Sequence, residues 1–306
     1  MERHRVLRRI AHSLYILPGL KSAARVLVRF TVQYLHLSLK NKQRLYNFFA
    51  KDTTPTQAVT CHIQIPHGKS LKVQLNLQDD LSMMWYYWGY AGYEIGTTRL
   101  ICKLLRSKRV VFDVGANIGY YALLAASLIE NYGELYAFEP WPEVFQQLLQ
   151  NGKLNKFSSL YLNQMALSDQ DGQECLFLPS DMAWTNASLI EGFTYQKEKI
   201  FIETIRFDTY CLKNSVSVVD LIKIDVEGAE LKVLRGMGAL LDVWLPDIIC
   251  EVLQPFENDL NNFFLNKPYR KFLIRDNGLD EVDRIRAHSQ YRDYYLSCAP
   301  VSLEGR

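Results

Sequence analysis

Apolar and polar positions alternate over 59–65, at Val59, Cys61, Ile63 and Ile65, and again over 71–77, at Leu71, Val73, Leu75 and Leu77. With Pro66-His67-Gly68-Lys69 between them, this period of two predicts a β-hairpin. Further along, the alternation gives way to short, nearly continuous apolar runs at 110–112, 134–138, 160–162, 217–224 and 248–252. Such runs mark strands of a sheet buried on both faces. Helical periodicity fills the gaps, at 95–105, 120–126, 142–154, a stretch ending at Leu234, and 256–265. Strand-like 269–274 and 294–296 complete the sheet. Strand and helix in turn predict an α/β fold with a mostly parallel sheet. Residues 173–208 break the rhythm, and they read as strands and loops that could form a hairpin over a pocket. The aromatic run 83–90 fits either core or the wall of a site.

Chemistry enters at 110–121, which reads VVFDVGANIGYY. An apolar run ends in Asp113; Gly115, Ala116, Asn117, Ile118 and Gly119 follow, then a helix. Glycines there let the backbone turn sharply, at the carboxyl end of a strand where open α/β sheets bind ligands. The next strand ends in Glu139, 20 residues after Gly119, where a carboxylate accepts hydrogen bonds from ribose hydroxyls. The loop expected over 163–169 would come beside the base of such a nucleotide. A dinucleotide site wants a third glycine for its pyrophosphate; Asn117 stands in the middle instead, and Asp113 would repel an anion. The pair suits a cofactor with positive charge and no phosphate, such as S-adenosylmethionine. Asp225 and Glu227 follow the strand over 217–224 at the same edge of the sheet, and either could serve there or cap the next helix.

Charge changes the picture mainly at the N-terminus. Residues 1–50 hold ten Lys and Arg against one acid, Glu2, a balance of +9 in a chain whose net charge is +2. Two helices are expected there, broken at Pro18-Gly19. The second puts Ala24, Leu27, Val28, Thr31, Leu35 and Ser38 near one face and Lys21, Arg25 and Arg29 on another. That pattern suits either packing on the body or peripheral contact with an anionic membrane surface. The remaining chain is acidic, which argues against nucleic acid as a partner. Six scattered cysteines without metal-ligand spacing predict a reducing, cytoplasmic setting. No uncharged apolar run reaches the roughly 20 residues of a membrane span, and nothing in the sequence demands a metal.

The motifs 111–120, 137–140, 166–169 and above all 220–230 (DLIKIDVEGAE) resemble the FkbM family of S-adenosylmethionine-dependent methyltransferases, over about residues 83–300. The resemblance implies a class I, Rossmann-like fold: a mostly parallel seven-stranded sheet with helices on both faces. It implies methyl transfer to a hydroxyl of a sugar, glycan or secondary metabolite. Asp113, Gly115, Ala116, Asn117, Gly119, Glu139, Ala166, Leu167 and Ser168 would hold the cofactor, with Asp225 and Glu227 at the methyl end. The expected organisation is a basic helical arm (1–50), a hairpin with its aromatic lead-in (51–94) and a methyltransferase domain (95–306). The competing readings are a nicotinamide oxidoreductase on a related sheet and a non-catalytic protein of the membrane surface.

Overall fold

The computed structural model describes residues 58–65, 69–179, 187–192 and 196–300, together with Arg29. The helices expected in 1–50 therefore lie outside the described residues, Arg29 excepted. The chain divides into two units, Met1–Tyr93 and Glu94–Arg306.

In the first unit the alternating segments form the expected antiparallel hairpin, β1 (Val59–Gln64) and β2 (Ser70–Leu75), with Val59 opposite Leu75. Its apolar positions Ile63, Leu71, Val73 and Leu75 are buried. The aromatic run is helical, in α1 (Asp80–Trp88), and Asp79 caps it by accepting from the Ser82 amide at 2.7 Å. Trp85, Tyr86, Tyr87 and Trp88 are buried, and edge-to-face pairs such as Trp85–Tyr90 bear out the core reading.

The second unit opens with α2 (Ile95–Leu104) and then alternates. β3 (Val110–Val114), α3 (Tyr120–Ile129), β4 (Glu134–Phe138), α4 (Pro142–Asn155) and β5 (Leu160–Asn163) come first. Then follow β6 (Ala166–Ser168), β7 (Gly172–Pro179), β8 (Gln196–Arg206) and α5 (Phe207–Lys213). β9 (Leu221–Ile224), α6 (Glu230–Gly236), α7 (Leu240–Trp244) and β10 (Asp247–Glu251) continue the pattern. α8 (Glu257–Phe263), β11 (Arg270–Arg275), β12 (Gly278–Val282) and β13 (Asp293–Ser297) close it.

The main sheet runs β12-β11-β13-β10-β9-β3-β4-β5. Neighbours from β10 to β5 are parallel; β13 runs antiparallel between β10 and β11. This is the expected α/β sheet with one strand more than the seven predicted. The extra edge strand, β12, folds back on β11 across a two-residue loop, Arg275 facing Gly278.

Because side chains alternate across a strand, the sheet has two unlike faces. Phe112, Val114, Tyr136, Phe138, Ile222, Ile224, Ile248 and Cys250 share one apolar core with α5 and α6 residues, Phe112 lying 4.8 Å from the Phe207 ring. Asp113 and Lys223, paired in register, point the other way, toward α3, where the Lys223 ammonium lies 4.8 Å from the Tyr121 ring. Helices thus cover both faces.

One expectation is corrected. Residues 166–168 are not loop: β6 pairs in parallel with β8 in a separate sheet of order β6-β8-β7. The hairpin expected over 173–208 is the β7–β8 pair. No helix among the described residues is long and apolar enough to cross a membrane.

Candidate active site

The turn after β3 is held from behind by β4. The Gly115 and Ala116 amides both donate to the Phe138 carbonyl, at 3.0 and 2.9 Å, and the Gly119 amide donates to the Ala116 carbonyl at 2.9 Å. Gly115 and Asn117 take left-handed φ values of 84° and 50°, and Asn117 Oδ1 accepts from the Ile118 amide at 2.7 Å. At Gly115 a Cβ would stand 1.8 Å from the Asp225 carbonyl oxygen. The Asp225 amide in turn donates to the Val114 carbonyl at 3.0 Å. So the two motifs, over a hundred residues apart, meet backbone to backbone.

Glu139 braces this turn. Its Oε2 accepts from the Asn117 amide at 3.0 Å and its Oε1 from the Trp141 amide at 2.9 Å. Each carboxylate oxygen keeps a second lone pair for a ligand. Burial raises its pKa to about 7 despite those two amides. Asp113 is 3% exposed, and neither of its oxygens has a hydrogen bond of normal geometry. Burial lifts it from 3.8 to about 6, against the pull of Lys223. A buried carboxylate left this way is costly unless something else meets it.

Lys223 is one residue that sequence reasoning missed. It is the charged position within β9, and it is buried. Its Nζ pairs with Asp225 Oδ2 at 2.8 Å. Burial alone would lower its pKa, but Asp225, Asp113, Glu94 and Asp293 together raise it. Glu94 accepts from the Tyr121 hydroxyl at 2.7 Å and is pushed up by burial, then by Asp293 and Asp225. Asp293 accepts from the Thr97 hydroxyl. The available signal was Lys223 itself: a lysine inside an apolar strand needs a counter-charge.

Beyond β9, Glu227 takes φ 52° and Gly228 φ 98°. Glu230 Oε1 holds this loop by accepting from the Val226 and Gly228 amides at 3.2 and 3.1 Å. Ser188, which lies between β7 and β8, reaches the same loop: its Oγ donates to the Glu227 carbonyl at 2.6 Å. Glu251, ending β10, joins Asp225 and Glu227: one carboxylate oxygen from each lies within 4.8 Å of the others. Burial and then the charge of Asp225 raise both Glu227 and Glu251.

The structure therefore brings Asp113, Gly115, Ala116, Asn117, Gly119, Glu139, Asp225 and Glu227 to the carboxyl edge of β3, β4 and β9. Ala166, Leu167 and Ser168 are built into β6; Leu167 belongs to the core, and Ser168 Oγ donates to Glu174 Oε1 at 2.5 Å.

A family model described as the Methyltransferase FkbM domain matches residues 113–294. The hexuronic acid methyltransferase AglP of Haloferax volcanii is 32% identical over 141 residues, covering 45% of this chain and 54% of that protein. The 31-O-demethyl-FK506 methyltransferase FkbM of Streptomyces tacrolimicus is 29% identical over 161 residues, 44% of this chain and 61% of that one. The chain thus spans less than two thirds of the length of these relatives. The solved structure of a methyltransferase FkbM from Methylobacillus flagellatus matches with TM-score 0.41 and 18% identity, covering 62% of this chain and 43% of that one. With more than half of its length matched by the family model, the chain belongs to the FkbM methyltransferase family.

Proposed function

We propose that this protein is an S-adenosylmethionine-dependent O-methyltransferase whose acceptor is a hydroxyl of a sugar, glycan or secondary metabolite. The observation that carries the reading is Asp113, a buried carboxylate beside the glycine turn whose two oxygens lack a hydrogen bond of normal geometry. It fits a cofactor that brings positive charge and no phosphate. The names of the relatives, a hexuronic acid methyltransferase and a 2-O-methyltransferase among them, support a sugar-type acceptor.

S-adenosylmethionine supplies a methyl group on a sulfonium, so the leaving group is already activated. The protein's task is then to position the acceptor and receive its proton, contributing up to ~7–11 kcal/mol and roughly 10²–10⁴-fold respectively. In this reading Asp113 meets the cationic methionine portion and Glu139 accepts the ribose hydroxyls. The 115–119 turn supports the cofactor's middle, with the 166–168 backbone serving the adenine. Asp225, steadied by Lys223, and Glu227 stand at the methyl end; Asp225 acts there on the methionine portion or the acceptor.

Isothermal titration tests the cofactor: S-adenosylmethionine binds at micromolar order, and Asp113→Ala or Glu139→Ala weakens it. Binding of NADH without S-adenosylmethionine would instead favour the oxidoreductase. Labelled-methyl transfer over cell-envelope sugar fractions tests the acceptor. The domain reading, a basic arm over 1–50 ahead of the body, carries a second claim: cytoplasmic placement with peripheral membrane contact. Unchanged pelleting with anionic vesicles after deletion of 1–50 would remove that role.

A further inference from the structure

The carboxyl ends of β9 and β10 crowd three carboxylates with few internal partners. Asp225 Oδ2 is paired with Lys223, which leaves Oδ1 over. The Glu227 side chain makes no hydrogen bond among the described residues, its loop being held through its carbonyl by Ser188 and through its neighbours by Glu230. Glu251 is 7% exposed, and its Oε2 is fully buried without a hydrogen-bond partner. Its other oxygen meets only the half-exposed Arg292, at the long distance of 3.5 Å. Three carboxylates this close repel one another unless a proton or a cation lies among them.

The spacing suits a cation. One oxygen from each residue lies within 4.8 Å of the other two. Two oxygens on opposite sides of an ion bound at about 2.4 Å are themselves about 4.8 Å apart, and those beside one another are closer. An all-carboxylate donor set selects hard, oxygen-seeking ions over zinc or copper. The backbone is built to present the set: Glu227 is held at a positive φ that an ordinary residue adopts only under constraint. Three ligands leave at least three positions of a six-coordinate ion for water or substrate.

We infer that Asp225, Glu227 and Glu251 form a binding site for one divalent, oxygen-preferring cation that receives the acceptor hydroxyl. The inference rests on the methyltransferase reading above for its role, though not for its geometry. A hydroxyl on the ion loses its proton to solvent more readily. Its oxygen then forms the new C–O bond, while the electron pair of the broken S–C bond stays on sulfur.

Mn²⁺ is the probe. Electron paramagnetic resonance of free Mn²⁺ in the presence of the full chain should show one ion bound per chain, at a dissociation constant on the order of 10–100 µM, with Mg²⁺ and Ca²⁺ competing. Glu251→Gln and Glu227→Gln should each weaken it about tenfold or more. Glu281→Gln, on β12 in an ion pair with Arg270, should leave it unchanged. Absence of uptake at millimolar Mn²⁺, or equal uptake by both site variants, overturns the inference and leaves a shared proton as the arrangement of the three acids. S-adenosylmethionine titration of the same samples separates the claims. Cofactor binding without Mn²⁺ uptake sinks the metal site alone, and Mn²⁺ uptake without cofactor binding sinks the methyltransferase reading alone. Cofactor binding by Glu251→Gln also certifies that this variant is folded.

Discussion

Replacing Asp113 by Asn should make the ligand-free protein more stable while removing its affinity for the cofactor. Asp113 is buried, its oxygens lack a hydrogen bond of normal geometry, and burial lifts its pKa from 3.8 to about 6. A carboxyl that holds its proton more tightly when folded loses stability as pH climbs from its unfolded to its folded value. Above pH 6 the loss is complete and is on the order of 3 kcal/mol, at 1.36 kcal/mol for each pH unit between them. Asn keeps the shape without the charge, so the variant's advantage should grow from about 1–2 kcal/mol at pH 5 to about 3 kcal/mol at pH 7. In a thermal melt that is roughly 6–12 °C, taking about 2–4 °C per kcal/mol for a unit of this size. S-adenosylmethionine at 100 times its dissociation constant should return about 2.7 kcal/mol to the wild type and nothing to the variant. Melting and urea unfolding at pH 5, 6 and 7.5, with and without cofactor, read out both effects. A variant less stable than wild type at every pH, with its cofactor response intact, would mean that Asp113 is held internally and serves the fold.

Three further outcomes follow from the same geometry. Cofactor affinity should fall as pH drops through about 7, where the Glu139 carboxylate gains its proton, and Glu139→Gln should flatten that profile in titrations between pH 6 and 8.5. Gly115→Ala should cost several kcal/mol or prevent folding, since its Cβ would meet the Asp225 carbonyl at 1.8 Å and its φ is 84°; soluble yield and circular dichroism report it. Lys223→Met should destabilise by about 3–5 kcal/mol in urea unfolding at pH 7.5, because it leaves buried carboxylates without their cation.

What could be read in advance followed the length and regularity of the signal. The hairpin and the parallel strands carry their own periodicity, so β1, β2, β3, β4 and β9 were legible as strands. β6 is three residues long, too short for any period to show, and its pairing with β8 is a tertiary fact. β12 has no alternation to find, with Asp280 and Glu281 adjacent and exposed, yet Asn277-Gly278 is a strong hairpin dipeptide that would have marked its turn. At the site, residues in contiguous motifs were legible. Glu94, Glu251 and Asp293 were not, because each stands in a different segment and looks ordinary there; Lys223 lies inside the 220–230 motif, and its signal, a charge within an apolar strand, went unread. Register brings four of the site's charges together in pairs: Lys223 faces Asp113, and Glu251 faces Asp293.

That register also explains why stability and binding can be separated in this fold. Each central strand gives one face to the core and the other to charge. Phe112, Ile222 and Cys250 bury carbon with α5 and α6, while Asp113, Lys223 and Glu251, one residue away, hold charge on the opposite side. Packing on the first face supplies the stability that the second spends, since burial raises the acids there and Lys223 offsets only part of their charge. Positive charge arriving from outside would relieve that strain, as a sulfonium and ammonium at Asp113 or a divalent ion at Glu251. The two reliefs meet different residues, joined through Asp225, whose backbone touches Gly115 and whose side chain belongs to the acidic trio. Both bring positive charge to the same negative field, so cofactor and cation should each weaken the other's binding, by an equal factor in both directions. Mn²⁺ titrations with and without saturating S-adenosylmethionine measure that factor; a ratio of one would show that the acids at the two ends do not feel each other.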